Sequence, residues 1–497
     1  MKKPSVLKIL VGISVFVGLV ISGAACSRQA SAPASNGGAG TLRIQWSSEP
    51  QSWDPTFAQD GLALRILANT MGGLYRYDGD AKLVPLYAAE VKVSKDFKTY
   101  DFKIQGAWSD GVAIDSDQFK CALDRALDPK SGAKLSFLLK HIQKIETPSK
   151  DRLKIQLARP DPRFLHLTTL PTMMPLRCDL IAANQGSWPM MGPTTGDYRL
   201  ADVNKGVSYH FVSNRGGHSV EALLVQDEST GVRLFESGRL DILSRVPQYD
   251  LKRMQAKGWI RTDPFWATYY LGFHVKNPAV SERELRKRVR DSIAKKEIVE
   301  LLGTAEIPAQ SWIPPGLEGH TATLTLTPAN PNTAAVKKGA EIAVQYDSSA
   351  RNATVMEKIQ ADLLKTLGIR LRLESSDWKT YQRNLGASPK PIFRFAMQAP
   401  VADPLFMLQS FTSKDPNNYT GWADARYDAW VDEIAQMESG PKRNQLIHRA
   451  QLYLLDEAVI FVPLYFYNQI HAVSPKIQGF RPNPMGVFRW ADLNFST

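Results

Sequence analysis

The stretch that decides the fold class runs from Thr99 to Pro129 and reads TYDFKIQGAWSDGVAIDSDQFKCALDRALDP. Its first residues alternate between apolar side chains (Tyr100, Phe102 and Ile104) and polar ones, which is the period of a half-buried β-strand. A turn sequence, SDG, follows, in which Gly111 is free to adopt a positive φ. This part of the chain therefore predicts a strand that ends in a tight turn.

A helix is predicted directly after this turn. Asp115 can accept hydrogen bonds from the first-turn amides of the helix, and Pro129 lacks the amide hydrogen needed to continue it. Apolar residues recur at the spacing of one buried helical face, at Phe119, Ala122, Leu123, Ala126 and Leu127. A strand, a turn and a helix in this order predict an α/β domain.

The particular residues of this stretch resemble family 5 of the bacterial extracellular solute-binding proteins, the receptors of oligopeptide- and dipeptide-type ABC importers. The resemblance rests on WSDG at residues 108–111, on DSDQF at the start of the helix and on RALDP at its end. Further motifs of the family follow in order: EPQSWDP from Glu49, TGDYRL from Thr195, LFESGRLDI from Leu234, NYTGWADARYDAW from Asn418 and IFVPLY from Ile460. The chain is therefore identified as a member of this family over most of its length.

This resemblance implies an α/β protein with the two-lobed periplasmic-binding-protein fold (type II, cluster C), an extra small lobe and a ligand cleft between the lobes. The implied segments are a signal peptide (1–25), a lipidated cysteine with a flexible tether (26–40), lobe I (41–88, 184–263 and 467–497), a small lobe (89–183) and lobe II (264–466). Periodicity independently supports the α/β class, because residues 341–378 read as a strand, a helix from about Asn352 to Leu367 and a second strand.

The first 26 residues predict export. Lys2 and Lys3 precede an apolar run that is too short to span a membrane comfortably. Small residues then lead to Cys26, which resembles a bacterial lipoprotein box with Gly23 where Leu is usual. We expect lipidation of Cys26 and attachment to a membrane in the periplasm or at the cell surface. Cleavage by an ordinary signal peptidase is the alternative.

Two cysteines remain in the exported part of the chain, Cys121 and Cys178. An oxidising compartment permits a disulfide between them, and two buried free thiols are the alternative. Neither cysteine has a histidine or another cysteine at the spacing of metal ligands, and the eight histidines of the chain are scattered. We therefore expect no metal site and no cofactor.

The formal net charge of the chain is +12. Its densest basic run, residues 283–296, has no interleaved aromatic residues and is predicted to be the solvated face of a helix rather than a nucleic-acid surface. No nucleic-acid partner is expected.

The resemblance also implies ligand-binding residues. Trp378 and Arg394 fall on positions that line the peptide pocket of relatives, and Tyr346 and Asn352 lie near it. Trp378 would supply a flat apolar wall, and Arg394 a rigid fork of donors. Core packing for the tryptophan and a structural ion pair for the arginine are the alternatives.

One departure from the family pattern concerns the ligand directly. Relatives that bind peptides have an aspartate at the position of Pro400, and its carboxylate pairs with the free α-amine of the ligand. Proline supplies neither a charge nor a backbone donor. Either Asp403 or another acid replaces this carboxylate, or the ligand presents no free amine there. Met397 stands where relatives have tryptophan, and Asp197 stands where they have proline.

The function that these residues predict is that of a monomeric receptor, which captures oligopeptides by hinge closure and delivers them to a permease in the inner membrane. Alternatives are a non-peptide solute (an oligosaccharide, a metal chelate or an antibiotic) and a periplasmic chaperone or structural lipoprotein. An enzyme is not expected, because the sequence contains neither G-x-S-x-G nor H-E-x-x-H.

Overall fold

The computed structural model describes residues 40–330 and 339–496. The predicted signal peptide, Cys26 and nearly all of the tether lie outside these residues. No helix in the described part of the chain is both long enough and apolar enough to cross a membrane.

The described residues form a mixed α/β structure with one large sheet, one four-stranded sheet and two small two-stranded sheets. The strands are β1 Thr41–Trp46, β2 Tyr75–Tyr77, β3 Leu83–Pro85, β4 Ala88–Val93, β5 Thr99–Ile104, β6 Ile142–Ser149, β7 Arg152–Leu157, β8 Tyr198–Asn204, β9 Ser208–Ser213, β10 Ser219–Leu224, β11 Ile242–Leu243, β12 Ile260–Phe273, β13 Ile307–Pro308, β14 Glu341–Asp347, β15 Arg370–Ser376, β16 Ile392–Gln398, β17 Phe461–Val473, β18 Ile477–Gln478 and β19 Asn494–Phe495. The helices are α1 Gly61–Thr70, α2 Ser116–Leu127, α3 Phe164–Leu167, α4 Cys178–Ala183, α5 Glu228–Glu236, α6 Gln248–Ala256, α7 Arg283–Ser292, α8 Lys295–Leu302, α9 Ala350–Leu367, α10 Trp378–Ala387, α11 Leu405–Gln409, α12 Ala425–Gln436 and α13 Pro441–Leu452.

Two long antiparallel strands, β12 and β17, occupy the middle of the large sheet, whose order is β15-β14-β16-β12-β17-β11-β1-β10-β9-β8. We call β11, β1 and β8–β10 the β1 side of this sheet, and β14–β16 the β14 side. The pairing of the two long strands is interrupted between Pro264, which pairs with Asn468, and Thr268, which pairs with Phe466. Pro264 has no amide hydrogen to donate, and bulges are where strands tolerate such residues. The two sides of the sheet therefore meet at an irregular crossing.

The stretch from Thr99 to Pro129 forms the elements predicted for it. Strand β5 lies inside the four-stranded sheet, with the side chains of Tyr100 and Phe102 buried. Helix α2 begins at a capping box, in which the Asp115 carboxylate accepts from the amide of Gln118 at 3.1 Å. Gly111 has a φ of 87°. The strand, the turn and the capped helix are all confirmed.

Family motifs that are far apart in the sequence hold one another in the structure. An Nη1 of Arg125, from RALDP, donates to the Asp54 carboxylate of EPQSWDP at 2.6 Å. The amide of Ser109, from WSDG, donates at 2.8 Å to the carbonyl of Thr194, the residue directly before TGDYRL. The sulfurs of Cys121 in α2 and Cys178 in α4 are bonded, with their Cα atoms 6.1 Å apart, a usual separation for a disulfide. The motifs thus form one connected structural unit around α2.

The predicted β-α-β unit is also confirmed. Strands β14 and β15 are parallel neighbours, and α9 connects them. Gly368 ends this helix in the left-handed conformation, with a φ of 66°, which glycine adopts without steric cost.

The prediction for residues 283–296 is wrong at its centre. Arg286 and Arg290 of α7 are only 6% and 4% exposed. Their guanidinium groups donate to backbone carbonyls of residues 455–459, at distances of 2.8–3.0 Å. Carbonyls at the end of a helical segment have no intrahelical partner and carry partial negative charge. These two cations are therefore buried as caps of a distant segment, not solvated.

Candidate ligand-binding cleft

Two adjoining cavities lie between the β1 side and the β14 side of the large sheet. Their volumes are about 520 Å³ and about 460 Å³. Both are lined by Arg65, Ser244, Arg245 and Phe488, so we treat them as one space and call it the cleft.

Structural elements from both sides of the sheet line this cleft. The β1 side contributes residues 44–49, at and beyond the end of β1, and one face of α1. The β14 side contributes Asp347, the start of α9 and Arg394 of β16. Residues 467–471 of the long strand β17 cover the region between them. A cleft built in this way encloses a ligand when its two walls approach each other.

Arg394 lines the cleft, as the resemblance implied, but two of its three guanidinium nitrogens already have partners, and its buried Nε has none. Its Nη1 is 2.7 Å from the Asp347 carboxylate, and its Nη2 donates to the hydroxyl of Tyr467 at 3.1 Å. The guanidinium carbon lies 4.7 Å from the centre of the Tyr269 ring, in a cation–π contact. Arg394 is therefore held in place by an ion pair within the protein.

Asn352 and Trp378 also line the cleft. The amide group of Asn352 is buried between the backbone carbonyl of Asp347 (2.9 Å) and the hydroxyl of Tyr269 (3.1 Å). Trp378 begins α10 and is 47% exposed, so its indole ring can pack against a bound molecule. Tyr346 does not line the cleft, because its side chain belongs to the buried core beneath β14.

Asp403 lies outside the cleft. It is 5% exposed and sits between two arginines, 2.6 Å from an Nη of Arg163 and 2.9 Å from an Nη of Arg443. Its Oδ1 also accepts from the amide of Leu405 at 2.8 Å. The structure thus gives this carboxylate a full set of protein partners.

A third cavity, of about 130 Å³, lies behind the cleft, and we call it the side cavity. The segment 485–490 forms the wall between the two. Its odd-numbered residues Met485, Val487 and Arg489 line the side cavity, and its even-numbered residues Gly486, Phe488 and Trp490 line the cleft. Pro400 and Asp197, two of the departures from the family pattern, both line the side cavity.

Of the arginines in the described residues that line these cavities, sequence reasoning indicated only Arg394. Three of those it missed are Arg65 and Arg245 in the cleft and Arg76 in the side cavity. Arg65 carried a usable signal, because it is the only charged residue in the apolar helix α1, GLALRILANT. Charged side chains are rarely buried without a partner, so an arginine within such a run indicates a specific interaction. The other two arginines stand in loops or short strands, where arginine is ordinary.

The titratable imidazole at the cleft is uncharged. Burial, together with the smaller effect of the neighbouring Arg65 cation, lowers the pKa of His471 to about 3. No group of three or more His, Cys, Asp or Glu side chains within residues 40–330 and 339–496 is arranged to hold a metal ion. The chemistry of the cleft is that of hydrogen bonds, aromatic surface and guanidinium charge, which suits reversible binding.

Comparison with known proteins agrees with this geometry. Residues 82–419 match the family model of the bacterial extracellular solute-binding proteins, family 5. The dipeptide-binding protein DppE of Bacillus subtilis is 26% identical, over 97% of this chain and 98% of the relative. The oligopeptide-binding protein OppA of the same species is 23% identical, over 88% and 90%.

Solved structures show the same fold. The Escherichia coli murein tripeptide binding protein MppA superposes with a TM-score of 0.80 at 20% identity, over 92% of this chain and 98% of that one. Haemophilus influenzae OppA in complex with the peptide RPPGFSPFR gives a TM-score of 0.79 at 20% identity, with the same coverage. The predicted fold class, an α/β solute-binding protein, is confirmed.

Proposed function

Because this chain belongs to family 5 of the bacterial extracellular solute-binding proteins, we propose that it is the receptor of an ABC importer and that its ligands are peptides. Proteins of this family bind solutes rather than transform them. The observation that carries the proposal is the cleft between the two sides of the large sheet, in a chain that matches dipeptide- and oligopeptide-binding proteins along nearly its whole length.

The residues that line this cleft support an extended peptide as its ligand. Residues 47–49 continue beyond the end of β1 and line it, so their main chain is available to pair with a ligand strand. Recognition through the main chain tolerates many side chains. Trp378 then supplies apolar surface, and the pair of Arg394 and Asp347 supplies fixed polar groups.

Capture would occur by bending at the crossing of β12 and β17. These strands connect the two walls of the cleft, and their ladder is interrupted between Pro264 and Thr268. An interrupted ladder bends at a lower cost than a continuous one. In this proposal lobe I consists of 41–88, 184–263 and 467–497, the small lobe of 89–183 and lobe II of 264–466. A ligand that touches both walls stabilises the closed arrangement.

We also propose that Cys26 carries the lipid that anchors this receptor outside the cytoplasmic membrane, as a monomer that docks on its permease. The support is the leader sequence alone. Protein extracted from membranes should have an intact mass above that of residues 26–497 by the mass of attached acyl chains, and the Cys26→Ser variant should lose this increment. An unmodified cysteine, or cleavage at another position, would favour simple secretion.

The peptide proposal is tested by native mass spectrometry of the exported protein, purified without denaturation. A closed cleft retains ligand, so we expect additional masses that resolve into peptides on denaturation. Peptides at 100 times their Kd should also raise the free energy of unfolding by about 2.7 kcal/mol. A single non-peptide mass would overturn the peptide assignment. An empty protein that shows no thermal shift with peptide mixtures would favour the chaperone or structural alternative.

A further inference from the structure

Charge is unevenly distributed around the cleft and the side cavity. Among the described residues, seven arginines line them against five carboxylates: Arg65, Arg76, Arg215, Arg245, Arg351, Arg394 and Arg489, against Glu49, Asp60, Asp197, Glu228 and Asp347. The number of charges matters less than how many of them already have a partner.

Four of the five carboxylates are engaged within the protein. In the cleft, Asp347 pairs with Arg394 at 2.7 Å. Asp60 caps α1 by accepting from two of its amides, at 3.0 and 3.1 Å. Glu49 accepts from a tyrosine hydroxyl at 2.7 Å.

The fourth engaged carboxylate, Asp197, belongs to the side cavity. One of its oxygens lies 3.3 Å from the Nε of Arg215, and the other accepts from Arg489. Two arginines thus neutralise this single acid. Of the five, Glu228 alone forms no hydrogen bond or ion pair with another described residue, and it is exposed to solvent.

Three arginines are left without such a partner. The guanidinium groups of Arg65, Arg76 and Arg245 form no hydrogen bond or ion pair with any residue in the described ranges. Arg245 is exposed and can be hydrated, so its lack of a protein partner is the weakest indication of a ligand. Arg65 and Arg76 are partly buried, and the Nε of Arg76 is fully buried with no acceptor. A cation withdrawn from water without a compensating partner is costly.

We propose that this receptor selects acidic peptides, whose carboxylates pair with Arg65 and Arg245 in the cleft and with Arg76 in the side cavity. The inference rests on the proposed function for the peptide nature of the ligand, but the preference for negative charge rests on the arginines alone. Pro400 lines the same cavity as Arg76 and offers no negative charge. A ligand ammonium placed there would meet an unpaired guanidinium and no free acid.

Isothermal titration calorimetry with three tripeptides of matched size tests this preference. The peptides are Ala-Glu-Ala, Ala-Gln-Ala and Ala-Lys-Ala, and the protein is the full exported chain. The acidic peptide forms a charge-assisted hydrogen bond where its amide forms a neutral one, and this difference favours it by about 5-fold to 15-fold in Kd. The preference should shrink as salt concentration rises, because partly exposed ion pairs are screened.

Substitutions then identify which arginine produces the preference for acidic peptides. Arg65→Gln should reduce the ratio of the Kd of Ala-Gln-Ala to the Kd of Ala-Glu-Ala toward one. Arg65→Lys should retain part of the preference for the acidic peptide. For the side cavity, peptides with an N-terminal succinyl group should lose more affinity than their N-acetyl counterparts in Arg76→Gln. Arg370→Gln is the matched control, because Arg370 is exposed on the edge strand β15, far in the sheet from the β1 side.

The outcomes separate this inference from the proposed function. Equal or tighter binding of Ala-Gln-Ala or Ala-Lys-Ala overturns the acidic preference and leaves peptide binding standing. Binding of a non-peptide dicarboxylate, but of none of the three peptides, overturns the peptide proposal and supports the anion preference. Absence of binding by peptides and dicarboxylates alike overturns both. The comparison on the unaltered protein needs no variant, so misfolding of a variant cannot obscure it.

Discussion

Replacing Asp403 with asparagine should destabilise the protein strongly, without any involvement of a ligand. Asp403 holds Arg163, which precedes α3 beside the four-stranded sheet, and Arg443 of α13. All three side chains are nearly inaccessible to solvent, with exposed fractions of 5%, 7% and 0%. The asparagine would leave two buried guanidinium groups without their shared carboxylate.

The magnitude follows from this burial. Breaking a buried ion pair by removing one partner costs about 3–5 kcal/mol, since the remaining charge is left uncompensated. Arg163 would keep the Asp161 carboxylate at 3.8 Å and a carbonyl of Ala435 at 3.1 Å, and Arg443 would keep Glu318. These remaining contacts place the expected loss in the lower half of that range.

Asp432→Asn provides the matched control. Asp432 pairs with Arg159 at 3.1 Å in the same region, but its side chain is 69% exposed. Exposed pairs contribute about 0–1 kcal/mol. Both variants should be measured by urea unfolding of ligand-free protein, followed by circular dichroism and by tryptophan fluorescence to detect separate transitions.

A loss at Asp403→Asn no larger than that at Asp432→Asn would refute the argument from burial. Peptide affinity provides a second, independent reading. If Asp403 acted by binding the ligand amine, the variant would lose affinity for free peptides but keep its affinity for N-acetylated ones. Because the structure places Asp403 outside the cleft, we expect the two kinds of peptide to be affected alike.

Two further predictions concern the disulfide and a half-buried lysine. Replacing Cys121 and Cys178 with serine removes a cross-link between residues 57 positions apart. The free energy of unfolding should fall by about 4 kcal/mol by the chain-entropy estimate. If alkylation of the denatured but unreduced protein labels both cysteines, the disulfide is absent. Burial lowers the pKa of Lys295 to about 8 from its usual 10.5. Between pH 8 and pH 10.5 the unfolded chain therefore binds more protons than the folded one. The free energy of unfolding should rise across this range, by at most about 3 kcal/mol. Below pH 8 the cost of burying the charged amine is present in full. The Lys295→Met variant should lack the rise in stability between pH 8 and pH 10.5. Parallel profiles of unfolding free energy against pH for the two proteins would show that Lys295 does not cause the rise.

Local chemistry made much of the fold predictable. The strand β5, the cap at Asp115, the face of α2 and the stop at Gly368 each depend on residues within a few positions of one another, and each is found. The same locality explains the error at α7. Nothing within residues 283–296 reveals that the carbonyls around residue 457 accept from Arg286 and Arg290.

In the candidate site too, the sequence predicts some features, and others depend on contacts between distant residues. By family position the sequence indicated Trp378, Arg394 and Asn352, and the structure places all three at the cleft. It could not show that Arg394 is already paired with Asp347, 47 residues away, or that Asp403 pairs with Arg163, 240 residues away. Nor could it show that Pro400 and Asp197 share a cavity.

The sequence by itself determined the family, the α/β class, the order of the principal elements and the leader that predicts export. These follow from side-chain periodicity, capping and turn residues, and motifs that are legible along the chain. Only the tertiary structure decided which charges are neutralised and which are left for a ligand. An ion pair depends on distance and solvent exclusion in space, and the chain brings the partners together from hundreds of residues apart.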